Sequence, residues 1–175
     1  LRRIKYIGAK FTSKLFKSDE IISRYFRKQG IIIGKNCHIY SNILTSEPYL
    51  ITIGNNVTFS NDIQLINHDN SICKITPDKT DIFGRIDIGD NCFIGARSTI
   101  LYGVTLSDNV IVAAGSVVTR SFNEPGIIIG GNPARKIGEW DIFAKKVSHY
   151  ALNIEGLTSN EKKQLILNDQ TLIEK

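Results

Sequence analysis

Large apolar side chains recur at every sixth position through much of this chain, and that period limits the fold more than any other feature of the sequence. Ile88, Ile94, Ile100, Leu106, Val112 and Val118 follow one another without a break, Ile53, Phe59 and Leu65 do so earlier, and Ile33 and Ile39 earlier still. Four residues after such a position stands a small or branched residue: Cys37, Ile43, Val57, Ile63, Cys92, Ser98, Val104, Val110 and Ser116. An amphipathic helix needs apolar residues at i, i+3, i+4 and i+7, and a half-buried strand needs strict alternation, so neither accounts for this spacing. A coil of short strands joined by tight turns does. The large residue points to the axis, and Gly or Asn takes the turn conformation that other residues resist. Gly34, Gly54, Gly89 and Gly95 directly follow the apolar position, as such turns require. Three sixes complete one triangular turn, and each turn is stable only against its neighbours.

The period breaks twice. From Ile39 to Ile53 the interval is 14, two more than a multiple of six, and Glu47-Pro48-Tyr49 marks a bulge or outward turn there. From Leu65 to Ile88 it is 23, so residues 69–85, which include Pro77 and Asp78, read as a loop extruded from the coil. The coil domain is accordingly residues 31–138. Residues 1–30 read as a helical segment stopping at Gly30, with Ile4, Ile7, Phe11 and Leu15 on one face, and residues 139–175 as a helical extension carrying Leu165, Ile166 and Leu172. Both ends are expected to cap the column.

At 175 residues, with 42% hydrophobic and 22% charged side chains, the chain can bury a substantial core. No apolar run approaches the ~18 residues of a membrane span, and disorder is excluded by the same composition. Three cysteines without a CxxC pair suggest neither a disulfide framework nor a zinc cluster, and a reducing cytoplasm is the expected location. The net charge of +5 is local: residues 1–30 hold nine Lys or Arg against Asp19 and Glu20. The rest of the chain has no basic stripe interleaved with aromatics, so nucleic acid is not an expected partner. Two readings of the basic segment remain open. Its apolar face packs on the coil with the cations solvated, or it docks on the anionic inner face of a membrane.

Three further segments carry a family resemblance. They are Ile88-Gly89-Asp90-Asn91-Cys92-Phe93-Ile94-Gly95-Ala96, Val117-Val118-Thr119-Arg120 and Gly130-Gly131-Asn132-Pro133-Ala134-Arg135-Lys136. With the period of six, they make the chain resemble the hexapeptide-repeat acyltransferases, in particular bacterial sugar and polysaccharide O-acetyltransferases of the maltose acetyltransferase type. Phe93 stands where tryptophan is common in that family. The resemblance implies an all-β core formed by a left-handed parallel β-helix with helical extensions. It also implies acetyl-CoA as acyl donor, no metal, and a homotrimer with active sites between subunits. On it rest the donor-site assignments: Gly95, Ala96, Ala113 and Ala114 for the pantetheine arm, and Arg120, Arg135 and Lys136 for the phosphates of coenzyme A.

His68 ends the last regular repeat before the long loop, and imidazole suits removal of a hydroxyl proton near neutral pH. The family's catalytic histidine occupies a similar place, so His68 is the expected general base. Asp69, or alternatively Asp62, could orient its ring, although a simple turn role suits either carboxylate. His38 and His149 read as structural. The zinc carbonic anhydrases that share the hexapeptide fold need three converging histidines, which a chain with three in all, at separations of 30 and 81, does not offer. The expected acceptor is a sugar or saccharide hydroxyl of the capsule or lipopolysaccharide type. A streptogramin-type antibiotic is the alternative within the class, and a non-catalytic β-helix scaffold the alternative outside it.

Overall fold

The computed structural model describes residues 2–16, 18–168 and 172–173, with side chains from Lys5 onward. It divides into two units, Leu1–Gly138 and Glu139–Lys175. In the first unit, helices α1 (Arg2–Phe16) and α2 (Glu20–Arg27) precede a succession of very short strands. These are β1 (Ile32–Ile33) and β2 (His38–Ile39), then β3 (Ile51–Ile53), β4 (Thr58–Phe59) and β5 (Gln64–Ile66). A two-strand excursion, β6 (His68–Asp69) and β7 (Ile82–Phe83), follows. The succession resumes with β8 (Ile86–Ile88), β9 (Phe93–Ile94), β10 (Thr99–Leu101), β11 (Val104–Leu106), β12 (Ile111–Val112) and β13 (Val117–Val118). It closes with β14 (Ile127–Gly131) and β15 (Ala134–Glu139).

Strands separated by about one coil pair with one another, giving three sheets. The first holds β1-β3-β8-β11, the second β15-β14-β12-β9-β4-β2 and the third β13-β10-β5. Setting aside the β6–β7 excursion, the chain visits them in the same cyclic order from β3 to β13. Register explains the period of six: Ile33, Ile53, Ile88 and Leu106 lie side by side in the first sheet. Ile39, Phe59, Ile94, Val112 and Ile129 do so in the second, and Leu65, Ile100 and Val118 in the third. All of them are buried. The residue two places before each next period position also points inward, because alternate residues of a strand share a face. Thus Val57, Cys92, Val104 and Val110 join the core, and Ser98 and Ser116 enter it with their hydroxyls donating to the Ala113 carbonyl.

The expected left-handed turns are taken by asparagine at one corner, and not by Gly34, Gly54, Gly89 or Gly95, none of which has a positive φ. Asn36, Asn56, Asn91 and Asn109 all have φ between 54° and 59°, in the left-handed region. Asn56 Nδ2 donates to Asn91 Oδ1 and Asn91 Nδ2 to Asn109 Oδ1, each at 2.7 Å, so one corner is stitched from coil to coil by side-chain amides. Asp62 and Arg97 occupy left-handed turns on another corner.

Helix α2 closes the first coil. Ile22 and Phe26 are buried, and the Arg27 guanidinium donates to the carbonyls of Ile33, at 2.8 Å, and Gly34 while pairing with Glu20. Tyr6 of α1 packs on Phe26 and Tyr25 with ring centroids 5.8 and 6.1 Å apart. The expectation that the apolar face of α1 packs on the coil is not met. Tyr6 and Ser13 face inward, whereas Ile7, Phe11 and Leu15 are 64%, 70% and 67% exposed. The aromatic contact of Tyr6 with α2 sets the rotation of α1 and turns the aliphatic stripe outward. Lys17 and the side chains of Arg2, Arg3 and Ile4 lie outside the described residues.

In the second unit, α3 (Trp140–Val147) and α4 (Ser159–Asn168) form. A reciprocal cap opens α4, with the Thr158 N–H donating to Glu161 Oε2 and the Glu161 N–H to Thr158 Oγ1. Leu165 and Leu172 are exposed and Ile166 is half-buried. Among the described residues no helix is long and apolar enough to cross a membrane.

Candidate active site

Both breaks in the repeat meet at one place. The first is a short helical turn, Pro48–Leu50, with Pro48 buried beneath it and Glu47 at its head. Asn67, only 1% exposed, straps this turn to the strand before His68. Its Nδ2 donates to the Glu47 carbonyl at 2.6 Å, its Oδ1 accepts from the Thr45 hydroxyl at 2.7 Å, and the Glu47 N–H donates to that same hydroxyl oxygen at 3.1 Å. A buried amide with both ends satisfied fixes backbone positions that a half-satisfied one would leave strained. The second break is the excursion of residues 69–85, held at its base by the antiparallel pair β6–β7, with His68 opposite Phe83.

Between these two structures lies His68. Its Nδ1 is 2.7 Å from Glu47 Oε2, and its ring centroid is 6.0 Å from that of Phe83. The Glu47 side chain is 14% exposed and that of His68 42%. A shielded carboxylate at Nδ1 favours the tautomer with its proton there, donated to Glu47, and leaves Nε2 as a proton acceptor on the accessible side. The sequence pointed to Asp69 or Asp62 for this orienting role, and the geometry corrects it. The Asp69 carboxylate accepts the Ser71 N–H at 2.7 Å and the Tyr102 hydroxyl at 3.4 Å. Those bonds, the Ser71 ones foremost, hold its pKa below the ordinary value. Asp62 is a turn residue with φ of 59°.

The other histidines sit elsewhere. His38 Nδ1 lies 2.5 Å from Asp19 Oδ2 at the start of α2, and its ring stacks on Tyr40. His149 packs on Tyr150 in the second unit. Among the described residues no group of three or more His, Cys, Asp or Glu could hold a metal ion. Burial pushes the Cys92 thiol up to about 11 and raises that of Cys37, so both are protonated, poor nucleophiles.

The small residues assigned to the donor form a ladder on the corner between the second and third sheets. Ile94 pairs with Val112, so Gly95 and Ala96 lie beside Ala113 and Ala114, with Gly130 beyond. A Cβ on Gly95 would stand 2.5 Å from the Ala114 nitrogen, so glycine is required there by coil stacking before any ligand is considered. Among the described residues no carbonyl or side chain accepts from the N–H groups of Ala96 and Ala114. The cations, Arg120 after β13 and Arg135 and Lys136 on β15, are already engaged: the Arg120 guanidinium 5.2 Å over the Phe122 ring, Arg135 donating to the Ala134 carbonyl, and Lys136 Nζ 2.6 Å from Glu124. His68 lies near the opposite end of the third sheet from the ladder. With five residues from Arg97 to Tyr102 at ~3.3 Å each, the separation is on the order of 15–20 Å.

The chain thus has stacked short parallel strands with an imidazole–carboxylate pair where their repeat is interrupted, and comparisons with known proteins give its family. The family described as hexapeptide repeat of succinyl-transferase matches residues 85–120. The chain is 43% identical over 171 residues to Protein CapG of Staphylococcus aureus, covering 94% of this chain and 95% of that protein. It is 32% identical over 111 residues to the galactoside O-acetyltransferase of Escherichia coli (strain K12), covering 63% of this chain and 54% of that enzyme. Among solved structures, a hexapeptide-repeat acetyltransferase from Vibrio cholerae O1 biovar eltor, complexed with acetyl coenzyme A, is similar with a TM-score of 0.56 and 30% identity, covering 64% of this chain and 61% of that one. A maltose O-acetyltransferase from Clostridium difficile 630 is similar with a TM-score of 0.54 and 25% identity, covering 79% and 88%. The chain belongs to the hexapeptide-repeat acetyltransferase family.

Proposed function

We propose that this protein transfers the acetyl group of acetyl-CoA to a hydroxyl of a saccharide acceptor of the capsule or lipopolysaccharide type. The observation that carries the reading is the 2.7 Å contact between His68 and a shielded Glu47, at the place where the repeat is interrupted. His68 Nε2 takes the acceptor hydroxyl proton as the oxygen attacks the thioester carbonyl, and the imidazolium is stabilised by Glu47. Backbone N–H groups hold the oxyanion. Collapse of the adduct releases the coenzyme A sulfur, which takes the proton back from His68, so the acetyl ester forms without a covalent enzyme intermediate.

The active unit in this reading is a homotrimer of left-handed coils. In this reading the base and the donor ladder of one site come from neighbouring chains, as the family resemblance implies. His68 of one chain therefore works with Gly95, Ala96, Ala113 and Ala114 of its neighbour, with Arg120, Arg135 and Lys136 toward the coenzyme phosphates. Three unpaired cysteines suit a reducing cytoplasm as the place of reaction.

Thiol release from acetyl-CoA, measured with a panel of sugars, nucleotide sugars and a streptogramin, tests the proposal. Turnover with a saccharide, absent in His68→Ala, is the expected result. Turnover confined to the streptogramin would replace the acceptor class, and no turnover with any acceptor would contradict the enzymatic reading.

A further inference from the structure

We infer that α1 docks the protein on an anionic lipid surface through the face that carries Ile7, Phe11 and Leu15. At about 100° per residue these three lie in one stripe along the helix, opposite the side where Tyr6 and Ser13 meet the body of the unit. Each is about two-thirds exposed. A continuous apolar stripe turned to water is unfavourable unless something covers it. Charge indicates what. Lys10 and Lys14, both exposed, border the stripe on one side, and Gly8 and Thr12 border it on the other. No acidic side chain precedes Asp19 in the chain. An apolar stripe edged by lysines and by no carboxylate matches a bilayer interface, with acyl chains beneath and anionic headgroups around, better than a second copy of this face, whose lysines would meet like charge.

The helix is already anchored at its back by the Tyr6, Tyr25 and Phe26 rings, so docking needs no rearrangement of the coil. The inference goes beyond acetyl transfer and does not depend on it. A surface-bound enzyme would have access to acceptors carried on lipid.

The test is co-sedimentation of the full chain with vesicles of phosphatidylcholine alone or mixed with phosphatidylglycerol, without acetyl-CoA. Binding to the anionic vesicles alone is expected, falling on the order of tenfold or more from low to high salt. Phe11→Ser with Leu15→Ser, and separately Lys10→Glu with Lys14→Glu, should each weaken it on the order of tenfold or more. Neither pair faces the coil, so unchanged thermal melting should accompany the loss. Should the serine pair fail to fold, the charge-reversal pair and the salt dependence of the unsubstituted chain still decide. Binding to neither vesicle, equal binding to both, or a smaller sedimenting mass for Phe11→Ser with Leu15→Ser in the absence of vesicles would overturn the proposal, the last by showing that another copy covers the stripe.

Discussion

Two imidazole–carboxylate pairs occur in the first unit, and their surroundings differ more than their chemistry. His38 and Asp19 meet at 2.5 Å, His68 and Glu47 at 2.7 Å, in both cases through Nδ1. His38 stands within a regular repeat, and its partner belongs to the start of α2; the imidazoles are similarly exposed, at 48% and 42%, but Asp19 is 38% exposed against 14% for Glu47. The His38 pair ties a helix to the first coil, a task worth about 0–1 kcal/mol for an exposed contact. His68 and Glu47 stand where the repeat is broken on both sides, behind a buried asparagine and beside an aromatic from the excursion. The difference teaches that two pairs alike in chemistry can be set apart by position: the proposed site lies at the interruptions of the column, the other pair in its regular part.

Replacing the two histidines in turn is the strongest way to break this comparison. His68→Ala is expected to lower kcat by on the order of 10²- to 10⁴-fold with acetyl-CoA binding nearly unchanged, as for loss of a general base. His38→Ala should leave kcat within about twofold and affect only stability. Steady-state thiol release and thermal melting measure both, and comparable losses of kcat would erase the distinction. The carboxylates should follow with a smaller contrast. Glu47→Gln, which keeps the shape and removes the charge, is expected to cost on the order of 10- to 10²-fold in kcat with little change in the KM for acetyl-CoA, whereas Asp19→Asn should change neither. An effect of Glu47→Gln confined to melting temperature would make Glu47 a structural residue.

Smaller still is the effect expected at the cations. Arg120→Ala and Arg135→Ala should raise the KM for acetyl-CoA more than that for the acceptor, by on the order of tenfold each if charge-assisted contacts to phosphate are lost. Equal affinity of the unsubstituted protein for coenzyme A and dephospho-coenzyme A would remove the 3′-phosphate contact. The least effect should come from the thiols. Alkylation at neutral pH should modify half-exposed Cys73 first and leave buried Cys37 and Cys92 intact in the folded protein, with Cys92 becoming a thiolate only as pH nears about 11.

The column was legible because its signal is local and repeated. Ile88, Ile94 and Ile100 each face inward for the same reason, and a residue such as Asn91, whose φ of 56° suits few other side chains, marks each corner. His68 was legible for a related reason, since it is the point where the repeat stops. Glu47 was not: it reaches His68 across 21 residues and an irregular turn, and no periodicity encodes such a contact. Its only trace was the two-residue surplus between Ile39 and Ile53, which located a bulge without saying what the bulge presents. Asp69, adjacent in sequence, was the natural candidate, yet neighbours in a strand point to opposite faces. The rotation of α1 escaped for another reason. Amphipathic spacing shows that Ile7, Phe11 and Leu15 share a face, but the partner of that face is decided by competing contacts, here Tyr6 on Phe26. At Gly95 the repeat marked the position, and stacking against Ala114 supplies a reason for glycine there that the sequence alone did not show.

The pairing of Glu47 with His68 as one functional unit is tested most directly by the kcat of His68→Ala, Glu47→Gln and the double variant, assayed by thiol release under identical conditions. If Glu47 acts through the imidazole, the double variant should be no slower than His68→Ala, because a positioning carboxylate has nothing left to position. Losses that multiply, with the double variant slower than His68→Ala by the full factor of Glu47→Gln, would contradict the account.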